Sequence, residues 1–463
     1  MTNTVPSRSG RARDSAVGRH RPKRNVTDIG LALLTPLVGK EFLDRHGLRT
    51  PFNRGLQYGV TQVFSAAGAT TRQFKKIQSR GKPATRLTSA PTADYFDLTP
   101  DDDQKMIVET VKQFAEEILR PAAREADDAA AYPADLIARA AELGITAIKV
   151  PEDFDGIAEH RTTVTNALVA EALAYGDMGL ALPILAPGGV ASAITHWGSA
   201  DQQSTYLKDF AGENVPQACL AIAEPHPLFD PTVLKTTAVR TPSGYRLDGV
   251  KSLVPAAAEA ELFIIAAQLN GKPTMFIVES STAGLSVKAD RSMGLRAAAL
   301  GQVELDKVSV PLSARLGDPD ATDADYARDY SEAIALSRLG WSALAVGTSH
   351  AVLDYVIPYV KEREAFGEPV ARRQSVAFLC ANIAIELDGL RLITWRGAAR
   401  ADQGLPFARE AALAKRFGTD KGMQIGLDGV QLLGGHGFTK EHPVERWYRD
   451  LRAIGVAEGV VVL

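Results

Sequence analysis

The chain has 463 residues, 52 of them basic and 55 acidic, for a net charge of −3, and 45 % are hydrophobic. That hydrophobic share excludes a mostly disordered chain, and the length points to two to four domains. Two cysteines, Cys219 and Cys380, exclude a disulfide framework and a cysteine-built zinc site; eight scattered histidines, with no HxxxH or HExxH, support no metal site.

The charge is uneven along the chain. Residues 1–90 carry 17 Lys and Arg against Asp14, Asp28, Glu41 and Asp44, a net +13, which leaves −16 for residues 91–463. Residues 1–93 read as a basic arm with short apolar pieces at 29–38 and 55–67. Its second half, with Arg72, Lys75 and Lys76, could form an amphipathic helix. The arm reads either as a solvated tail with a docking helix or as a contact to an anionic membrane surface. No nucleic-acid role is expected, because no recognised binding fold accompanies the charge. Residues 1–27 are rich in Arg and Ser and poor in acids, as in an organellar transit peptide, and no secretory signal is evident. The expected location is cytoplasmic, with a peripheral membrane association open through the arm and an organellar matrix as the alternative. No apolar run is expected to span a membrane.

Residues 94–217 read as helical. Thr99 is the expected N-cap, Pro100 the first helical position, and Asp101 to Asp103 suit the positive end of the helix dipole. Ile107, Val111, Phe114, Ile118 and Leu119 then repeat at helical spacing. Further helices are expected at 134–143, 163–174 and 202–210. Residues 218–318 change to short β-rich runs at 237–240, 245–250, 262–267, 274–278 and 302–310, with turn signals at Pro242-Ser243-Gly244 and Asn270-Gly271. Residues 319–463 return to long Ala- and Leu-rich helices at 326–364, bent at Pro358, then 374–401 and 407–433, as in a four-helix bundle. The predicted class is α+β: a helical domain, a central sheet or barrel, and a helical bundle.

Several chemistries are excluded. There is no GxSxG elbow and no GxxxxGK[ST] loop, and Gly434-Gly435-His436-Gly437 follows a helix, which weakens a Rossmann reading. Taken cold, those glycines mark a tight turn as readily as a ligand contact.

A pattern emerges in the last third: Arg363-Glu364-Ala365-Phe366-Gly367, Gln374, Gln431-Leu432-Leu433-Gly434-Gly435-His436-Gly437, Pro443-Val444-Glu445-Arg446, and Arg449-Asp450. At these spacings the chain resembles the acyl-CoA dehydrogenase family from about Tyr95 onward. The Gly144–Gly156 loop, the Ala221–Pro225 turn and Met293-Gly294-Leu295-Arg296 share in the resemblance, and the helix–sheet–helix order is also that family's. The resemblance implies FAD-dependent oxidation of the α,β bond of an acyl-CoA thioester. It also implies an electron-transfer flavoprotein or similar acceptor, and a homo- or hetero-oligomer, dimer or tetramer. Such chemistry needs a carboxylate beside the α carbon, donors for the thioester oxygen, and a flavin to take the hydride.

By the same resemblance, Glu458, nine residues after Arg449, is the base. Its apolar neighbours Ile454, Val456, Val460, Val461 and Val462 would raise its pKa by desolvation. Read alone, without the Arg449 register, Glu458 would be taken for a solvated carboxylate near the C-terminus, as most Glu are. The other position at which the family places a base, one residue before Arg338, holds Ser337. Arg338 matches a substrate-side Arg near the CoA. Arg363, Phe366 and Gln374 match residues that hold the FAD pyrophosphate and adenosine half. Gln431, Gly434 and Gly435 match a segment that reaches a neighbouring subunit's FAD.

The flavin-facing positions depart from the family. Its T-E-P-x-x-G-S-D turn is Ala223-Glu224-Pro225-His226-Pro227-Leu228-Phe229-Asp230, and its W-I-T strand is Leu253-Val254-Pro255. The Thr and Gln two and four residues after the base are Val460 and Val462. These changes leave a second reading open, a flavin-poor structural or regulatory subunit paired with a fuller homologue. Relatives with other flavin chemistry are a third reading, which Glu458 argues against.

Overall fold

A computed structural model describes residues 98–158 and 162–463. The basic arm, with its expected amphipathic helix and membrane contact, lies outside them.

Helix α1 (Asp102–Phe114) is capped by Asp101 rather than Thr99. The Asp101 carboxylate accepts from Gln104 N at 2.7 Å while Gln104 Oε1 accepts from Asp101 N at 3.1 Å. This reciprocal pair satisfies two orphan donors at once, so it wins over a Thr–Pro start. One π-turn (Ala115–Leu119) carries the helix into α2 (Arg120–Ala129), where Pro121 has no N–H to give.

Helices α3 (Leu136–Glu142), α4 (Thr163–Gly176), α5 (Met178–Trp197) and α6 (Ala200–Ala211) follow. The sequence reading missed α5 because Pro183 and Pro187 lie inside it. Packing overrides that propensity, since 94 % of its most apolar stretch is buried. The helix is also long and apolar enough to cross a membrane, which corrects the expectation that no run reaches that length; its burial is that of a core helix.

The sheet holds seven strands: β1 (Ala218–Ala221), β2 (Thr237–Thr241), β3 (Gly244–Val254), β4 (Leu262–Leu269), β5 (Lys272–Glu279), β6 (Leu285–Ala289) and β7 (Gly301–Pro311). Strands β1 and β6 were not anticipated. The order is β1-β4-β2-β3-β7-β6, with β5 hairpinned onto β4. Asn270 (φ 52°) and Gly271 (φ 78°) make that hairpin's turn, both left-handed as a two-residue turn of this twist requires.

The 40-residue α7 (Asp323–Glu362) runs through Pro358, and α8 (Gln374–Asp402) and α9 (Ala408–Leu433) pack against it. With α4 on α7 and the short α10 (Val444–Arg452) on α9, these form the helical bundle.

The Pro443–Asp450 motif is a clamp between these parts. Arg446 Nε donates to Asp177 Oδ2 at 2.9 Å, and Asp177 caps α5 by accepting from Leu180 N at 3.0 Å. Arg449 holds Asp127 through two bonds of 2.9 and 2.8 Å, and Glu445 through two more. Asp450 accepts from Leu295 N at 2.6 Å. Gly294 lets that turn close, since a Cβ there would lie 2.3 Å from Arg449 O. Arg446→Met strands Asp177 as a buried unpaired carboxylate and should cost about 3–5 kcal/mol in urea unfolding. A loss under about 1 kcal/mol would show that the clamp carries no stability.

Candidate active site

Three elements converge on Glu458. Successive faces of α7 present Ser337, Arg338 and Trp341; α9 presents Lys415; the loop after the 3₁₀ turn Ala453–Gly455 carries Glu458 itself. Ser337 Oγ and Trp341 Nε1 both donate to Gly459 O, at 2.5 and 2.8 Å. Lys415 Nζ donates to Ala457 O. The carbonyls on either side of Glu458 are therefore both pinned by side chains, so the carboxylate springs from a fixed backbone. Lys415 also lies over the Trp341 ring, 5.6 Å from its centre, which ties the two pins together.

The carboxylate faces cations. Arg338 reaches Glu458 Oε1 through Nη2 at 3.1 Å and Nε at 3.2 Å, and Lys415 Nζ stands 3.9 Å from the same oxygen. The Arg338 side chain is 29 % exposed against 11 % for Glu458, so the open side of the site is the Arg338 side. Of the expected apolar neighbours, Ile454, Val460, Val461 and Val462 are buried, but Val456 is 56 % exposed. Burial pushes the Lys415 ammonium down to about 8, against the pull of Glu458.

Lys415 escaped the sequence reading, yet Ala411, Lys415, Gly418 and Gly422 repeat at i, i+4, i+7, i+11 on α9, which marks a core-facing position. Lys149 also escaped it, inside a loop. It is fully buried, donates from Nζ to Val462 O at 2.9 Å, and burial pushes it down to about 7.

The residues expected at the dinucleotide lie elsewhere. Arg363 ends α7, Phe366 tips the β8–β9 hairpin (Glu364–Ala365, Glu368–Pro369), and Gln374 begins α8. The Gly434–Gly435 turn, with Gln431 just before it, lies beside the same end of α7, where Tyr359 Oη contacts Leu433 O at 3.3 Å and His436 Nδ1 at 2.8 Å. Twenty-five residues of α7 separate Arg338 from Arg363, a helical rise of roughly 37 Å. Glu458 and Arg363 therefore stand near opposite ends of this stretch of α7.

The turn that departs from the family is well braced. Glu224 accepts from Lys235 N at 2.8 Å, Thr236 N at 2.9 Å and Lys251 Nζ at 2.9 Å. Burial alone would raise its pKa; the Lys251 charge and the backbone donors outweigh that and pull it to about 2. Leu228 stands at the family's Gly with φ +55°, the left-handed conformation that explains a Gly there. Phe229 packs edge-on against His226 at 5.6 Å. Leu253, with φ +56°, donates its N–H to Asp290 Oδ2 at 3.0 Å, and Pro255 O accepts from Cys219 Sγ at 2.9 Å. Cavities of about 470 Å³ (beside Arg291 and Arg296), 760 Å³ (beside Tyr132 and Glu213) and 470 Å³ (beside His350 and Arg391) include none of the expected site residues.

Three family models cover this architecture. The N-terminal domain model of acyl-CoA dehydrogenases matches residues 101–214, the middle domain 219–308 and the C-terminal domain 328–460. A probable acyl-CoA dehydrogenase of Bacillus subtilis (strain 168) is 30 % identical over 373 residues, 79 % of this chain and 96 % of the relative. The chain belongs to the acyl-CoA dehydrogenase family. Among solved structures, butyryl-CoA dehydrogenase from Megasphaera elsdenii has a TM-score of 0.71 at 27 % identity, over 79 % of this chain and 96 % of that one. A glutaryl-CoA dehydrogenase from Mycobacterium smegmatis, in complex with FADH2, gives 0.69 at 25 %, over 78 % and 92 %.

An acyl-CoA dehydrogenase needs a seat for a flavin dinucleotide, and the two halves of that seat differ here. Arg363 is exposed with no ion-pair partner among the described residues. Phe366 is 95 % exposed in a left-handed conformation, φ +57°, with the Arg373 guanidinium 5.5 Å from its ring. Nothing lies within 4 Å of where a Cβ would stand at Gly434 or Gly435. An exposed aromatic ring, the unpaired Arg363 guanidinium and open glycine backbone fit the phosphate and adenine half. At the flavin-ring half, Ala223, Leu253 and Pro255 present no side-chain donor.

Proposed function

We propose that the chain is an FAD-dependent dehydrogenase that converts a saturated acyl-CoA thioester to its α,β-unsaturated form, with Glu458 as the base. The observation that carries this reading is the double pinning of the backbone at Ala457 and Gly459, which fixes one carboxylate beside a half-open arginine. Glu458 takes the proton from the α carbon as the carbon–carbon double bond forms. FAD supplies the acceptor for the hydride that leaves the β carbon. Arg338, already bonded to Glu458, stands at the entrance, where its exposed face meets an anionic CoA. Reoxidation falls to an electron-transfer flavoprotein or similar acceptor.

The roughly 37 Å between Arg338 and Arg363 supports shared cofactor sites. Arg363, Phe366, Gln374, Gln431, Gly434 and Gly435 of one chain hold the dinucleotide half of a cofactor whose ring lies beside Glu458 of another. Phe378, Ile385 and Leu392 are exposed at seven-residue spacing along α8, an apolar stripe suited to a second subunit. Ile385→Glu should therefore convert the assembly to monomers in sedimentation and release FAD together with it. Monomers that keep FAD would show that one chain suffices.

The missing side-chain donors at Ala223, Leu253 and Pro255 favour a second reading, a flavin-poor subunit that completes a homologue's site. Visible absorption separates the two. The purified chain should be yellow, or become so with FAD, and bleach with an acyl-CoA. A chain that stays colourless after FAD addition sinks the first reading and leaves the second.

A further inference from the structure

The space inward of Glu458 is filled by the chain itself. Val460, Val461, Val462 and Leu463 are 0–3 % exposed. Their seat is built from four elements. Gly459, at φ +78°, lies where a Cβ would come 2.8 Å from Ile222, just past β1. A Cβ on Gly189 of α5 would stand 2.2 Å from Val460 O, and one on Gly340 of α7 would stand 2.3 Å from Val461 O. Lys149 takes Val462 O. Two helices thus lack side chains at the points where this segment's carbonyls press on them, and a buried cation binds the next carbonyl. The segment is a fitted part of the core.

This filling limits the substrate. The solvent side of the site is the Arg338 side, which the Asp230 carboxylate shares through its attraction to that charge. A thioester entering there with its α carbon at Glu458 points its alkyl end inward, toward residues 460–463. We infer that residues 459–463 are a built-in chain-length stop and that the substrates are short acyl thioesters, with few carbons beyond the β carbon. The inference rests on the reading of Glu458 as the base, which supplies the position of the α carbon.

Binding tests it without turnover. Butyryl-, octanoyl- and palmitoyl-CoA would be titrated by calorimetry into the Glu458→Gln holoprotein. In an open apolar compartment, the four extra methylenes of octanoyl-CoA would tighten binding by about 200-fold. With the stop in place, butyryl-CoA binds, and octanoyl- and palmitoyl-CoA bind no tighter or more weakly. Octanoyl-CoA tighter by tenfold or more, or no binding of butyryl-CoA, overturns the inference. Val461→Ala, beside Gly340, should move the octanoyl-to-butyryl affinity ratio about fivefold or more toward octanoyl; an unchanged ratio also overturns it. Failure of the base reading looks different: wild-type holoprotein would bind butyryl-CoA, and Glu458→Gln would bleach with it as fast as wild type.

Discussion

Glu458→Gln should leave the holoprotein folded and yellow while slowing its bleaching by an acyl-CoA by about 10²–10⁴-fold, the usual contribution of a positioned base. Gln keeps the shape of the side chain and an acceptor for Arg338, so the pins at Ala457 and Gly459 need not move. The slowing should fall on the maximal rate rather than on thioester affinity, because the amide occupies the same volume but takes no proton. Lys415→Met is the companion test. It removes the donor to Ala457 O and one of the two cations facing Glu458, while Ser337 and Trp341 still hold Gly459 O. A residue that positions the base should shift the pH profile of bleaching. A residue that only supports the fold should lower the melting temperature and leave the profile in place. If Glu458→Gln bleaches as wild type does, Glu458 is not the base and the pinned backbone has another purpose.

What the sequence made legible follows its physics. Helices with clear periodicity were found to within a few residues, and the Asn270–Gly271 hairpin was specified by two residues that tolerate left-handed backbone. The prolines of α5 hid it, because a local rule is overridden when nearly a whole helix is buried. The short, fully buried β1 offered no alternation to read. The motifs gave the family but not the division of labour within them. Arg446, Arg449 and Asp450 match the pattern and prove to be braces between domains, while Glu224 braces its own turn within the sheet domain. Phe366 and Arg363 match it and stand exposed, as ligand groups do. A linear pattern does not distinguish these, because both kinds of residue sit at fixed spacings; burial and partners separate them. Lys149 and Lys415 gave no signal of their own, because lysine usually lies in solvent and the residue type does not mark a buried one.

Lys149→Met should stabilise the protein, and the gain should depend on pH. Burial lowers the Lys149 pKa from 10.5 to about 7, so between those values the unfolded chain holds a proton that the folded chain releases. The sign follows: stability from this group is lowest below about pH 7, rises with pH, and levels off above about 10.5. At pH 7 the penalty is about 4 kcal/mol from a shift of that size, and losing the bond to Val462 O returns about 1 kcal/mol. Met at this position, with a similar stem, should therefore gain about 3 kcal/mol at pH 7. The gain should vanish near pH 10. Lys415, lowered to about 8, supplies a second rise from pH 8 upward that the variant keeps. Asp450 opposes both: burial and the nearby Asp177 push it up to about 8, so its contribution is full below about pH 4 and lost as pH rises through 8. Urea titrations at pH 6, 8 and 10 separate the three, since only the Lys149 component disappears in the variant. No gain at pH 6 would mean that the ammonium is solvated in the folded chain and that the 459–463 seat is looser than its glycines imply. A gain, together with a shift toward longer thioesters, would show that a costly lysine is kept at this position to hold the stop.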